Sequence, residues 1–218
     1  MKRLTLFCGH YGSGKTNIAV NFALHLKFLG LPVALADLDI VNPYFRAKDS
    51  TDELEKAGIR LICSEFANSN VDFPALPQDL YAITDDRTNH YILDVGGDER
   101  GALALGRIAP AIMEENNYEM YLVINGFRPL TPDPASTIEV MQEIEQACRM
   151  RFTGIINNSN LGRETTAETV LSSRDYAEKT AELAGLPLAL TTVDARLYPE
   201  LSGQIPDLFP LTLKEIPV

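Results

Sequence analysis

The chain has 218 residues, 45% of them hydrophobic, and a formal net charge of -11. That length and apolar content suit one buried core better than two, so a single domain over residues 1–218 is expected. Scattered acidic charge disfavours nucleic acid and anionic lipid as partners, and no apolar run approaches the roughly 20 residues that span a bilayer; a cytoplasmic protein off the membrane is expected.

After the basic start "MKR", too short an apolar run follows for a signal peptide. That run, "LTLFC" (Leu4 to Cys8), reads as a strand and leads directly into "GHYGSGKT" (Gly9 to Thr16). The octapeptide fits the phosphate-loop pattern G-x-x-x-x-G-K-[ST]. Gly9, Gly12 and Gly14 let the backbone turn successive N–H groups around a phosphate, and the helix expected next, "TNIAVNFALHLKFLG", presents its positive N-terminal end to the same anion. Lys15 adds a point charge for the β- and γ-phosphates, and the Thr16 hydroxyl is placed to ligate Mg²⁺.

The second strand, "PVALAD" (Pro32 to Asp37), ends in the acidic pair Asp37 and Asp39 of "LADLDIVNPYFR". A dinucleotide-binding fold would place a ribose-binding carboxylate here, but its loop would lack the Lys-Thr pair, so these carboxylates are expected to face Mg²⁺ and an attacking water. The alternative for either is a turn cap. Arg46 and Lys48 follow, as cations for a phosphate or as a solvated basic patch. Ser50 with Glu53 signals the start of a short helix, and Gly58 its end.

"IRLIC" (Ile59 to Cys63) and "YILDV" (Tyr91 to Val95) are the next strands. The second carries Asp94 at its end in "HYILDVGG", the arrangement that holds a metal opposite a phosphate loop, and Gly96 and Gly97 leave room for a γ-phosphate to touch the backbone. "MYLVI" (Met120 to Ile124) precedes "NGFRPLTPDP", which carries Arg128, a third candidate cation, and the Asp133-Pro134 helix start. "TGIIN" (Thr153 to Asn157) is followed by a long helix announced by Thr165 with Glu168 and stopped at Gly185. "PLALT" (Pro187 to Thr191) is the seventh and last expected strand, and the tail "LSGQIPDLFPLTLKEIPV" is too proline-broken for a long membrane-targeting helix. Strands alternating with helices predict an α/β fold: a mostly parallel, twisted sheet of about seven strands with helices on both faces. Cys8, Cys63 and Cys148 are far apart and share no C-x-x-C, so they read as buried small hydrophobes rather than a disulfide, zinc or iron–sulfur site, with Cys8 the candidate for oxidation because it borders the loop.

With "GHYGSGKT", "DLDIVNPYF", "ILDVGG" and "GIINNSN" in this order, most of the chain resembles the MinD/ParA-like ATPases, the deviant-Walker-A P-loop NTPases of the SIMIBI class. The resemblance implies an ATP- and Mg²⁺-binding switch that forms a nucleotide-dependent homodimer and acts on a protein partner. It assigns "DLDIVNPYF" to switch I, with Asp39 positioning the water, and "ILDVGG" to Walker B and switch II. It places Asn158 on the adenine, with Asn157 as the alternative, and lays "TTVDARLYP" over the base. The implied nucleotide set is Gly9, Gly12, Ser13, Gly14, Lys15, Thr16, Asn17, Gly97 and Asn158; the metal set is Thr16, Asp37 and Asp94; Lys15 and Asp39 are catalytic. Relatives read K-G-G-x-G-K-[ST], and their first lysine reaches across the dimer. Here His10, Tyr11 and Gly12 fill those places. His10 admits two readings, a partial cation beside phosphate or a packed ring. A phosphoryl-transfer or ligase-type enzyme on the same fold, and a nucleotide-binding module without turnover, are the alternatives to an ATPase.

Overall fold

The computed structural model describes residues 1–38, 50–63, 80–97 and 99–213. Strands β1 (Leu4–Cys8), β2 (Val33–Asp37), β3 (Arg60–Cys63), β4 (His90–Asp94), β5 (Tyr118–Ile124), β6 (Gly154–Asn157), β7 (Leu188–Asp194) and β8 (Leu208–Leu211) form one sheet. Its order is β3-β2-β4-β1-β5-β6-β7-β8, and every neighbouring pair is parallel. The helices are α1 (Lys15–Phe28), α2 (Thr51–Lys56), α3 (Ala82–Asp85), α4 (Glu99–Glu115), α5 (Pro134–Cys148), α6 (Ala167–Ser172), α7 (Arg174–Ala184) and α8 (Tyr198–Leu201).

From β1 the chain travels outward through β2 to β3, then returns to β4 beside β1 and continues the other way from β5 to β8. Parallel crossovers are right-handed, so reversing the direction of travel moves the connecting helices to the opposite face. Packing agrees. Ile18, Ala23 and Leu26 of α1 and Leu54 of α2 share a core with Phe7, Leu35, Ile92 and Val123. Leu105 and Ile108 of α4, Ile144 of α5 and Ala177 of α7 pack with Leu4, Leu6, Ala36, Leu93 and Leu122 on the other face. Burial on both faces explains the near-continuous apolar strands.

The pleat then fixes where the acidic residues go. Asp37 lies two residues beyond Leu35 and Asp94 two beyond Ile92, so both inherit the α1 face, and the ladder pairs them directly, Asp37 opposite Asp94. Two carboxylate-bearing residues thus stand side by side at the carboxyl ends of adjacent strands, near the point where the strand order reverses.

Eight strands replace the expected seven. The addition, β8, contains Pro210, which a strand pattern normally excludes. It lies at the sheet edge, pairing only with β7, where a missing N–H can face away from the ladder. Three local expectations have mixed outcomes. Asp133 caps α5, its side chain accepting from Ser136 N at 3.0 Å. Ser50 makes no cap bond, because its backbone (φ -102°, ψ 8°) lacks the extended conformation a capping side chain needs. The helix expected after Thr165 is instead two, α6 and α7, divided at Ser173, whose hydroxyl donates to Val170 O at 2.7 Å and accepts from Asn157 Nδ2 at 3.0 Å. Its cap is Thr166, in a box with Thr169. Among the described residues no helix is long and apolar enough to cross a membrane.

Candidate phosphate-binding site

The β1–α1 turn owes its shape to glycine. Gly9 and Gly14 have φ of 148° and 92°. A Cβ on Gly9 would fall 2.4 Å from Val123 O, and one on Gly14 would fall 2.1 Å from Asn158 Nδ2, so neither position has room for a side chain. Gly97 presses on the loop from the β4 side, where its Cβ would lie 2.6 Å from Tyr11 N. Helix α1 starts at Gly14 with no side-chain cap and no acidic residue in its first turn, which leaves the amide groups of Lys15, Thr16 and Asn17 without the usual side-chain acceptor. Ser13, Lys15 and Thr16 are buried.

Lys15 is 5% exposed, and its ammonium donates to His10 O at 3.1 Å. Among the described residues it has no ion-pair partner, an arrangement that suits an anion in the cradle. The buried Ser13 hydroxyl has no hydrogen-bond partner among the described residues. Asp94 is fully buried and Asp37 nearly so, both on the face that α1 covers. Together the uncapped helix start, the buried ammonium, the Thr16 hydroxyl and this carboxylate pair form a donor set that fits a polyphosphate and a hard divalent cation. Among the described residues no cluster of three His, Cys, Asp or Glu side chains stands ready to hold a metal unaided.

Asn158, just after β6, is brought to the loop from beyond β5. Its Nδ2 donates to Ser13 O at 2.6 Å, and its Oδ1 accepts from Thr192 Oγ1 at 2.6 Å. One amide hydrogen and one lone pair remain beyond those two bonds. Asn157 points to the opposite face, toward Ser173. Sequence reasoning did not single out Thr192 or Asn125. Asn125, fully buried at the end of β5, accepts from Phe127 N at 3.1 Å and Asn160 N at 3.4 Å, tying the β5–α5 and β6–α6 loops together. A polar residue closing an apolar strand beside the loop was the available signal for it.

His10 is pinned locally: its Nδ1 donates to Tyr11 O at 2.8 Å. Arg128 lies over the loop, its Nε 3.6 Å from the point a Gly12 Cβ would occupy. Asp39, Arg46 and Lys48 lie outside the described residues. Cys8 and Cys148 are buried free thiols. Burial pushes the Cys8 thiol well above its ordinary range, so the loop's neighbour is protected rather than reactive; the Cys63 side chain lies outside the described ones. In the segment expected over the base, Asp194 holds Arg196 through Nε at 2.9 Å.

Solved structures supply the comparison. The chain is similar to FtsY from Mycoplasma mycoides (TM-score 0.57, 18% identity over 88% of this chain and 61% of that one). It is also similar to the cell division protein FtsY of Thermotoga maritima (0.55, 19%, 87% and 61%). A third is the signal recognition particle 54 kDa protein of Aeropyrum pernix K1 in complex with GDP (0.52, 17%, 86% and 40%). The fold is that of the P-loop NTPases. This chain spans about three-fifths of the FtsY chains and two-fifths of the 54 kDa protein. No protein-family model and no curated protein sequence matches it.

Proposed function

We propose that this chain is a Mg²⁺-dependent, ATP-hydrolysing switch of the MinD/ParA-like class that acts on a protein partner, as an accessory or maturation ATPase does. The observation that carries the reading is the buried Lys15 ammonium at an uncapped helix start, inside a loop too close-packed at Gly9 and Gly14 for any side chain. In this reading the amides from Gly9 to Thr16, with Asn17 behind them, hold the phosphates. Lys15 neutralises charge on them. Thr16, Asp37 and Asp94 hold Mg²⁺, Gly97 leaves backbone within reach of the terminal phosphate, and Asp39 orients the water. Bound Mg²⁺ would supply charge neutralisation for phosphoryl transfer to water.

Adenine is the preferred base. "GIINNSN" has an amide, Asn158, where N-K-x-D would place lysine, and carries no carboxylate for a guanine edge. Asn158 meets the adenine with the amide valences that Ser13 and Thr192 leave over. A nucleotide-dependent, face-to-face homodimer is supported by Tyr11, Phe127, Leu130 and Leu161, large apolar side chains exposed on loops that follow the adjacent strands β1, β5 and β6.

Calorimetry tests the reading. Mg-ATP should bind the wild type, more tightly than Mg-GTP, and Lys15→Ala should abolish measurable binding while the melting temperature stays within a few degrees. Equal affinity in Lys15→Ala would refute the site, and a preference for GTP would refute the base assignment.

A further inference from the structure

The position that carries a cross-dimer lysine in relatives holds His10 here, and His10 is poorly placed to replace it. Its Nδ1–H is spent on Tyr11 O, and its own carbonyl accepts from both Ser13 N at 3.1 Å and Lys15 Nζ at 3.1 Å. The ring is a structural part of the turn.

A different side chain reaches the loop. The three atoms nearest to a Cβ built on Gly12 all belong to Arg128: Nε at 3.6 Å, Cζ at 3.8 Å and Cδ at 3.9 Å. The guanidinium therefore lies over the side of Gly12 where a side chain would project; Gly12 is an exposed member of the loop, while Ser13 and Lys15 beneath are buried. Arg128 is solvent-exposed, and no described residue pairs its guanidinium with a carboxylate.

Its backbone is well held. Arg128 N donates to Asn125 O at 3.1 Å, and Arg128 O accepts from Thr131 N at 3.1 Å. Thr131 Oγ1 donates to the same Asn125 O at 3.3 Å, and Gly126 N donates to Ser159 Oγ at 3.0 Å. The β5–α5 loop is thus braced to the end of β6, and the arginine is presented to the phosphate loop with part of its ordering cost already met by the fold. Guanidinium stays protonated at any working pH and forks onto phosphate oxygens, which a neutral imidazole cannot do.

We propose that Arg128 is a phosphate-binding cation of this site, supplied in cis from the β5–α5 loop. The proposal rests on the nucleotide reading above and deepens it: the charge that relatives borrow from a second subunit is built into one chain. Nucleotide binding then requires no partner copy, and dimerisation is left free to serve signalling.

The probes are Mg-bound non-hydrolysable ATP analogue and inorganic tripolyphosphate, which has no base. Arg128→Gln is expected to weaken both by about tenfold or more, the range of a lost charge-assisted contact. It should also make log affinity less steep in log salt than in wild type. Half-saturation in wild type should coincide at low and high protein concentration. Because the side chain is exposed, the melting temperature without ligand should not move. A change below threefold for either probe, a loss confined to the nucleotide, or wild-type affinity that rises with protein concentration overturns the proposal. Lys15→Ala separates the two failures: if it binds as wild type does, the site itself is misassigned, whereas loss in Lys15→Ala with none in Arg128→Gln sinks the arginine alone.

Discussion

Asn158→Ala probes the junction on which the site depends. The side chain is 4% exposed and makes two bonds of 2.6 Å, to Ser13 O in the phosphate loop and from Thr192 Oγ1 on β7. Truncation leaves a buried carbonyl and a buried hydroxyl with their best partner gone, at about 1–3 kcal/mol each. Thr192 Oγ1 keeps a weaker bond to Asn157 O at 3.4 Å, which reduces its share. The expected loss is about 2–5 kcal/mol, which for a chain of this size lowers the melting temperature by roughly 5–15 °C. Urea denaturation without nucleotide measures it. Thr192→Val should cost about 1 kcal/mol alone and be non-additive with Asn158→Ala, since the two share a bond. Tripolyphosphate affinity should fall along with stability, because the loop loses its brace. A destabilisation below about 0.5 kcal/mol with unchanged tripolyphosphate binding would refute the idea that Asn158 braces the loop.

Asp39→Asn should keep Mg-ATP affinity within a few fold while turnover falls about a hundredfold or more, as for a lost water-positioning carboxylate; full activity would move that role elsewhere. Asp94→Asn should weaken Mg²⁺-dependent binding and turnover together, read as a rise in the Mg²⁺ concentration for half-saturation, with an unchanged Mg²⁺ requirement as the contrary result. Glu115 lies at the opposite end of the strands, where Arg3 Nε donates to it at 2.5 Å, and this partner holds its carboxyl below the ordinary 4.5. A carboxylate lowered in the folded state stabilises above its unfolded pKa and loses that contribution as pH falls, so acid denaturation should steepen below about 4.5, and Glu115→Gln should flatten that limb. Identical acid profiles would exclude the pair as the cause.

Much of this protein can be read directly from its sequence, because the relevant signals are local. The apolar runs expected from Leu4, Pro32, Tyr91 and Met120 became strands within two residues of their expected ends, since a strand buried on both faces needs nothing but apolar residues in succession. The glycines of "GHYGSGKT" announce backbone conformations that few other residues adopt. The two-residue period of any strand puts Asp37 on the face of Leu35. What no local pattern contains is the pairing of distant segments. Only the strand order puts Asp37 opposite Asp94, because β4 returns to lie between β2 and β1. Asn158 reads in sequence as a base contact. The structure adds a second role, a brace, because Ser13 and Thr192, 145 and 34 residues away along the chain, meet its two amide atoms. Pro210 argues against a strand until the sheet gives it an edge. Arg128, one of several cations in the sequence, is distinguished by its place over Gly12, its Nε 3.6 Å from where a Gly12 Cβ would stand, a placement set when β5 packs beside β1. Chain-local propensities set the elements, whereas bonds between residues far apart in sequence exist only after the sheet has closed.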